Sequence, residues 1–243
     1  IQGMQHIGVA VTDMDRSLKL YRQLFGMDIP FFDSVQEAPL MDSHTRGETI
    51  LKRASMVLNL QGGCAFEVLQ PTSFEPKLAS WEIGLGDLGI AVVQMKTKDI
   101  VRMHKHALQF DDVTCDDKLT RTPWGAPTFF LNDLDGNVFQ ILEASDSFAK
   151  TGHASGGVLG CTIGVSDMEA SLKLYATTLG YSEVLFDETA VQSDWSHRPY
   201  GAENYRRVRL TQPNPGSGGF GQLTGRTYIE LVNARKTSDL RRL

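Results

Sequence analysis

Cysteine is scarce, and that scarcity excludes two architectures. Cys64, Cys115 and Cys161 are the only three in 243 residues, odd in number and without a CxxC spacing. Neither a disulfide framework nor a zinc–thiolate centre is therefore expected. Each lies in or beside an apolar segment, where a buried free thiol is the ordinary outcome. That favours a reducing, cytoplasmic setting. A secreted or periplasmic origin stays open, because the chain begins IQGMQ with no initiator methionine. Basic excess is lacking too: 24 Lys and Arg against 29 Asp and Glu give a net charge of −5. A protein that displaces counterions from nucleic acid needs the opposite balance. No apolar run reaches membrane-spanning length. Also missing are a nucleophile elbow, a Ser-His-Asp order and a catalytic Cys-His signature.

What the chain does contain is a repeat. QHIGVAVTDMDRSLKLYRQLFG (5–26) returns as LGCTIGVSDMEASLKLYATTLG (159–180), and residues 5–34 align with 159–188 without a gap. The unit has a readable plan. HIGVAV is rich in β-branched and small apolar residues, as a buried strand is. Asp13 stands at a helix N-cap position. Met14, Leu18, Tyr21 and Phe25 then trace one helical face. Gly26 suits the left-handed residue that stops a helix. Further strands follow, in the first unit through the turn pair Gly62-Gly63. A diverged third block lies between the two, with DLGIAVVQM, TKDIVRMHKHALQ, TFFLND and NVFQILEA as strand, helix, strand, strand.

The expectation is an α+β protein of three βαβββ modules, about 4–71, 86–144 and 158–234. Paired modules close a cupped sheet, because a single one leaves a strand edge and a concave face bare. The first two are expected to pair as a domain over 1–148, leaving the third, within 156–243, as half of a second domain. Its partner is then either a fourth module missing from this sequence or a second copy in a homodimer.

The unit at 5–26, its copy and the hairpin NDLDGNVFQILE resemble the vicinal oxygen chelate superfamily, which includes glyoxalase I, extradiol dioxygenases and bleomycin-resistance proteins. That resemblance implies a metal site built from the first and last strand of each paired module. It places His6 and Glu67 in the first module, Asp87 and Gln140 in the second, and Gly160 and Glu230 in the third. His6, Glu67, Asp87 and Gln140 are then the expected metal ligands, with Glu67 and Asp87 as candidate catalytic groups. The implied cofactor is a divalent cation: Zn, Mn, Mg, Ni or Fe. Gly160 brings no side chain, so the third half-site is broken. The implied activity is a metal-dependent isomerase or lyase acting on a small oxygen-bearing compound. The alternatives are a metal-free binding protein of the bleomycin-resistance type, and an extradiol dioxygenase-like protein whose active half lies in a fourth module.

Two other stretches stand out. SDWSHRPYG gathers Trp195, His197, Arg198 and Tyr200 on a loop, where aromatic and cationic groups can grip a ligand or simply pack. GSGGFG (216–221) matches a dinucleotide fingerprint by letters but is expected to be a flexible hairpin leading into strand TYIELV.

Overall fold

The computed structural model describes residues 3–43, 45–214 and 216–233. The first module runs β1 (His6–Ala10), α1 (Met14–Phe25), β2 (Ile29–Glu37), β3 (Leu51–Leu58) and β4 (Ala65–Pro71). The second runs β5 (Gly89–Thr97), α2 (Ile100–Ala107), the short β6 (Val113–Cys115) and β7 (Thr120–Arg121), then β8 (Pro127–Asp133) and β9 (Val138–Glu143). The third runs β10 (Val158–Val165), α3 (Met168–Leu172), β11 (Glu183–Val191), β12 (Asn204–Thr211), a helix α4 (Gly218–Thr224) and β13 (Tyr228–Asn233).

The repeat is physical as well as lexical. Asp13, Asp99 and Asp167 each accept the N–H three residues on through Oδ1, at 3.0, 2.9 and 3.0 Å, which caps α1, α2 and α3. Gly26 and Gly180 both turn left-handed, at φ 63° and 77°, where a side chain would be strained. β2 and β11 each shift register once, between Pro30 and Phe32 and between Val184 and Phe186. Arg53 joins Asp33 to Asp15 just as Arg206 joins Asp187 to Glu169. The recurring aspartate of the two Phe-Asp pairs is therefore a sheet-to-helix tie.

Module pairing departs from expectation. β5 and β10 pair antiparallel and fuse the second and third modules into one sheet, ordered β11-β12-β13-β10-β5-β9-β8-β6. The first module forms its own sheet, β1-β4-β3-β2. It meets the second back to back: Tyr21, Phe25 and Phe66 pack their rings against Phe139, with centroids 5.0–6.0 Å apart. The aromatic face of α1 packs on the second module's back. β1 thus ends its sheet with an outer edge that pairs with no strand among the described residues.

Polar bonds cross the same boundary, from Thr12, Arg16 and Ser17 to Asp135 and, fully buried, from Tyr21 to Asp133. Tyr21 donates its hydroxyl to Asp133 Oδ2 at 2.6 Å, and Asn137 donates to the same oxygen at 2.9 Å. Burial raises the Asp133 carboxyl above its ordinary value, with these donors pulling the other way. Tyr21→Phe should cost about 1.5–3 kcal/mol near neutral pH, the worth of a hydrogen bond to a charged group. An acid whose folded-state pKa is raised contributes stability that is full below its unfolded value and falls as pH rises through the folded one. Losing the phenol raises that pKa further, so the deficit should shrink toward pH 4. Urea unfolding at two pH values checks it; a deficit independent of pH contradicts it.

Candidate functional site

On β1, Ile7 and Val9 are buried toward α1 while His6 and Gly8 face the other way, as the two-residue period of a strand requires. β4 runs parallel beside it, setting His6 against Ala65 and Gly8 against Glu67. The imidazole and carboxylate converge, with His6 Nε2 3.5 Å from Glu67 Oε2. Both are partly open, at 34% and 23% side-chain exposure. The separation exceeds a good hydrogen bond. It is close to the spacing of two ligands that each sit about 2.0–2.2 Å from one cation. His6 Nδ1 is buried without a hydrogen-bond partner. Among the described residues the ring's protein contact is therefore with Glu67, through Nε2. Among the described residues no three His, Cys, Asp or Glu side chains gather into a metal cage, so the pair by itself is not a complete one.

The other expected ligands lie elsewhere. Asp87 sits in the turn before β5, fully buried, its Oδ2 accepting the Gly84 N–H at 2.8 Å. The slip has a cause that the sequence contains. His6 stands seven residues before its N-cap Asp13, and seven before Asp99 is Val92. The histidine position of the second module is therefore apolar. In the third module it is Gly160, where an added Cβ would collide with the Tyr228 carbonyl oxygen. A histidine is sterically barred there.

Gln140 and Glu230 do occupy the last-strand positions, opposite Gln94 and Thr162, in the cup of the fused sheet. That cup is filled. Arg207, fully buried, donates to Glu230 Oε2 at 2.6 and 2.9 Å and to both Asp194 oxygens at 2.9 Å. Arg209 donates to Glu230 Oε1 at 3.0 Å, and Gln140 to Asp194 Oδ2 at 3.0 Å. Trp124 lies over both guanidinia, 5.2 and 4.4 Å from their carbons. Two cations and two anions cancel. Burial raises the Asp194 carboxyl, with only Arg207 as a charged donor against it. Burial also pushes Glu230 up, but Arg207 and Arg209 together outweigh it and hold the group low. Glu230 is an ion-pair centre, and the charges of YRRVRL opposite it were the sequence signal for the network.

The loop of Trp195, His197, Arg198 and Tyr200 completes the plug. Trp195 is fully buried, edge-on to Phe130 at 5.0 Å. His197 Nε2 lies 3.0 Å from Asp116 Oδ1, and Arg198 donates to Asn132 Oδ1 at 2.8 Å. Tyr200, at φ 60°, packs its ring on Gly84. These side chains close the second and third modules over each other. The GSGGFG segment also differs from its expected hairpin: it follows β12 and enters α4.

Comparisons bear on the whole arrangement. The family model for the Glyoxalase/Bleomycin resistance protein/Dioxygenase superfamily matches residues 3–141. Among solved structures, glyoxalase I from Zea mays is 17% identical, aligned over 97% of this chain and 68% of that one, with a TM-score of 0.58. A putative dioxygenase from Bacillus subtilis is 15% identical over 95% and 63% of the two chains, with a TM-score of 0.56. At these identities the likeness is one of fold. Among curated proteins, none matches significantly. No helix among the described residues is long and apolar enough to cross a membrane.

Proposed function

The chain belongs to the Glyoxalase/Bleomycin resistance protein/Dioxygenase superfamily, and from that premise we propose that its ligand chemistry resides on the first module, where His6 and Glu67 hold a divalent cation for a small oxygen-bearing compound. The observation that carries this reading is the 3.5 Å approach of an imidazole without a hydrogen bond at Nδ1 to a partly exposed carboxylate. A bound divalent cation would act there as a Lewis acid on adjacent ligand oxygens. Imidazole and carboxylate suit Zn, Mn, Fe or Ni better than a soft-ligand metal. The chain's own part is to supply one neutral and one anionic donor and to present them on a rigid strand pair. Glu67 is in addition the group placed to accept a proton from carbon beside a carbonyl, the step of an isomerase or lyase.

The remaining ligands would come from a further βαβββ module laid antiparallel on β1, as β10 is laid on β5, whether from a second copy or a longer polypeptide. The test is calorimetric titration of Mn(II) or Zn(II) into the full protein and into His6→Ala. Near-stoichiometric binding by the parent, lost in the variant, supports the reading; equal binding by both overturns it. A second reading, a metal-free binding protein, is favoured by the lack of a three-ligand group among the described residues. It predicts no uptake by either protein.

A further inference from the structure

The third module carries an addition that the first lacks. β3 and β4 are joined by residues 59–64 alone, whereas the matching connection from β12 to β13 spans 212–227 and winds α4 on the way. α4 reaches the first module. The Gly63 N–H donates to the Leu223 carbonyl oxygen at 2.8 Å, and a Cβ at Gly62 would meet that same oxygen at 3.1 Å. The helix is thus pinned, backbone to backbone, on the turn between β3 and β4. Phe220 and Leu223 then face Phe31, Met56, Leu58 and Ala65 across a cavity of about 60 Å3. Ala65 is the register partner of His6, and Met56 that of Glu67. Two residues of its lining are thus the cross-strand neighbours of the imidazole–carboxylate pair, although neither His6 nor Glu67 lines it.

Its chemistry is one-sided. No charged side chain lines it. At its rim Phe31 and Phe220 are left 68% and 53% exposed, apolar surface of the kind that borders a ligand groove. One water needs about 10–15 Å3 on such a measure, so the cavity takes about four to six groups of that size. That is a short or branched alkyl chain rather than a fused ring system.

We propose that α4 and the first module's sheet form an apolar subsite that receives the short aliphatic side chain of the compound whose oxygens are held at His6 and Glu67. This rests on the metal-site reading above. The ligand class is accordingly a small 2-oxo or 2-hydroxy compound with an uncharged tail of about four to six carbons. Leu223 and Phe220, contributed by the third module, set the length of tail accepted at a site the first module carries.

The probe is a series of straight-chain alkyl hydroxamates from acetyl to octanoyl, whose two adjacent oxygens grip a divalent cation. They are titrated calorimetrically into the Mn(II)-loaded full chain. Affinity should tighten about fourfold per methylene until the cavity fills, then level off. Leu223→Trp, which fills the hollow and keeps the backbone bond to Gly63, should flatten the series with Mn(II) affinity unchanged. Leu223→Ala should move the plateau to longer chains. A flat series in the Mn(II)-loaded parent, or a slope and plateau unmoved by both variants, overturns the subsite alone. If the parent takes up no Mn(II), the matching alkyl carboxylates are titrated into the metal-free protein. A chain-length slope abolished by Leu223→Trp then keeps the subsite and removes the metal reading; no slope removes both.

Discussion

Arg207→Met should lower the unfolding free energy by about 3–5 kcal/mol, the usual loss when one partner of a buried ion pair is removed. The guanidinium is fully buried and, among the described residues, is the only group bonded to both Asp194 and Glu230. Without it, Glu230 keeps Arg209, Thr162 and Gln94, whereas among the described residues Asp194 keeps only the Gln140 amide as a side-chain donor. Burial already raises the Asp194 carboxyl, so the variant should protonate it and lose the loop that carries Trp195. Urea unfolding reads this as a lowered midpoint at an unchanged slope. Replacing the set together, as Arg207→Met and Arg209→Met with Asp194→Leu and Glu230→Met, should recover most of the loss, because apolar side chains of similar volume carry no desolvation penalty and no buried charge is left unpaired. A single Arg207→Met variant within about 1 kcal/mol of the parent contradicts the picture of a filled, charge-locked cup.

The second large effect separates two glutamates that the repeat makes equivalent. Glu67 faces Gly8 as Glu230 faces Thr162, yet one is half open and the other fully buried between guanidinia. Glu67→Gln should weaken Mn(II) or Zn(II) binding by about 100-fold or more, since removal of even an outer-shell partner of a ligand costs 10–100-fold. Its stability should scarcely change, because the carboxylate pairs only with a histidine 3.5 Å away. Glu230→Gln should do the reverse: metal affinity unchanged, stability reduced by a few kcal/mol as Arg207 and Arg209 lose their shared counter-ion. Calorimetry and urea unfolding on both variants give four numbers. A loss of metal affinity in Glu230→Gln would move the site to the second cup.

Much of the fold was legible because local chemistry recurs. Asp13 and Asp167 as N-caps, Gly26 and Gly180 as stops, and the strands around them follow from residue type and spacing. Module pairing was not legible. β1, β5 and β10 read alike, and the choice of neighbour is made by long-range packing of Tyr21 and Phe25 on Phe139 and by charges opposed across strands. The same holds for the site. His6 and Glu67 meet because register brings them together. Asp87 was misplaced because the second module's first strand starts later than its apolar run suggests, a slip that counting back from Asp99 removes. The Trp195 loop could be read as grip or as packing from composition alone; the indole itself is fully buried. α4 went unseen because four glycines in six residues, at 216–221, mask a helix that exists by virtue of its contacts with the first module.

The claim on which the rest depends is that the first module's open face, and not the filled cup, holds the cation. Pulsed electron paramagnetic resonance of the Mn(II)-loaded chain addresses it most directly, because histidine nitrogen bound to manganese gives a resolved coupling. The account predicts a nitrogen coupling in the parent that disappears in His6→Ala and persists in Glu230→Gln. A coupling that survives His6→Ala, or manganese bound with no nitrogen at all, would contradict it.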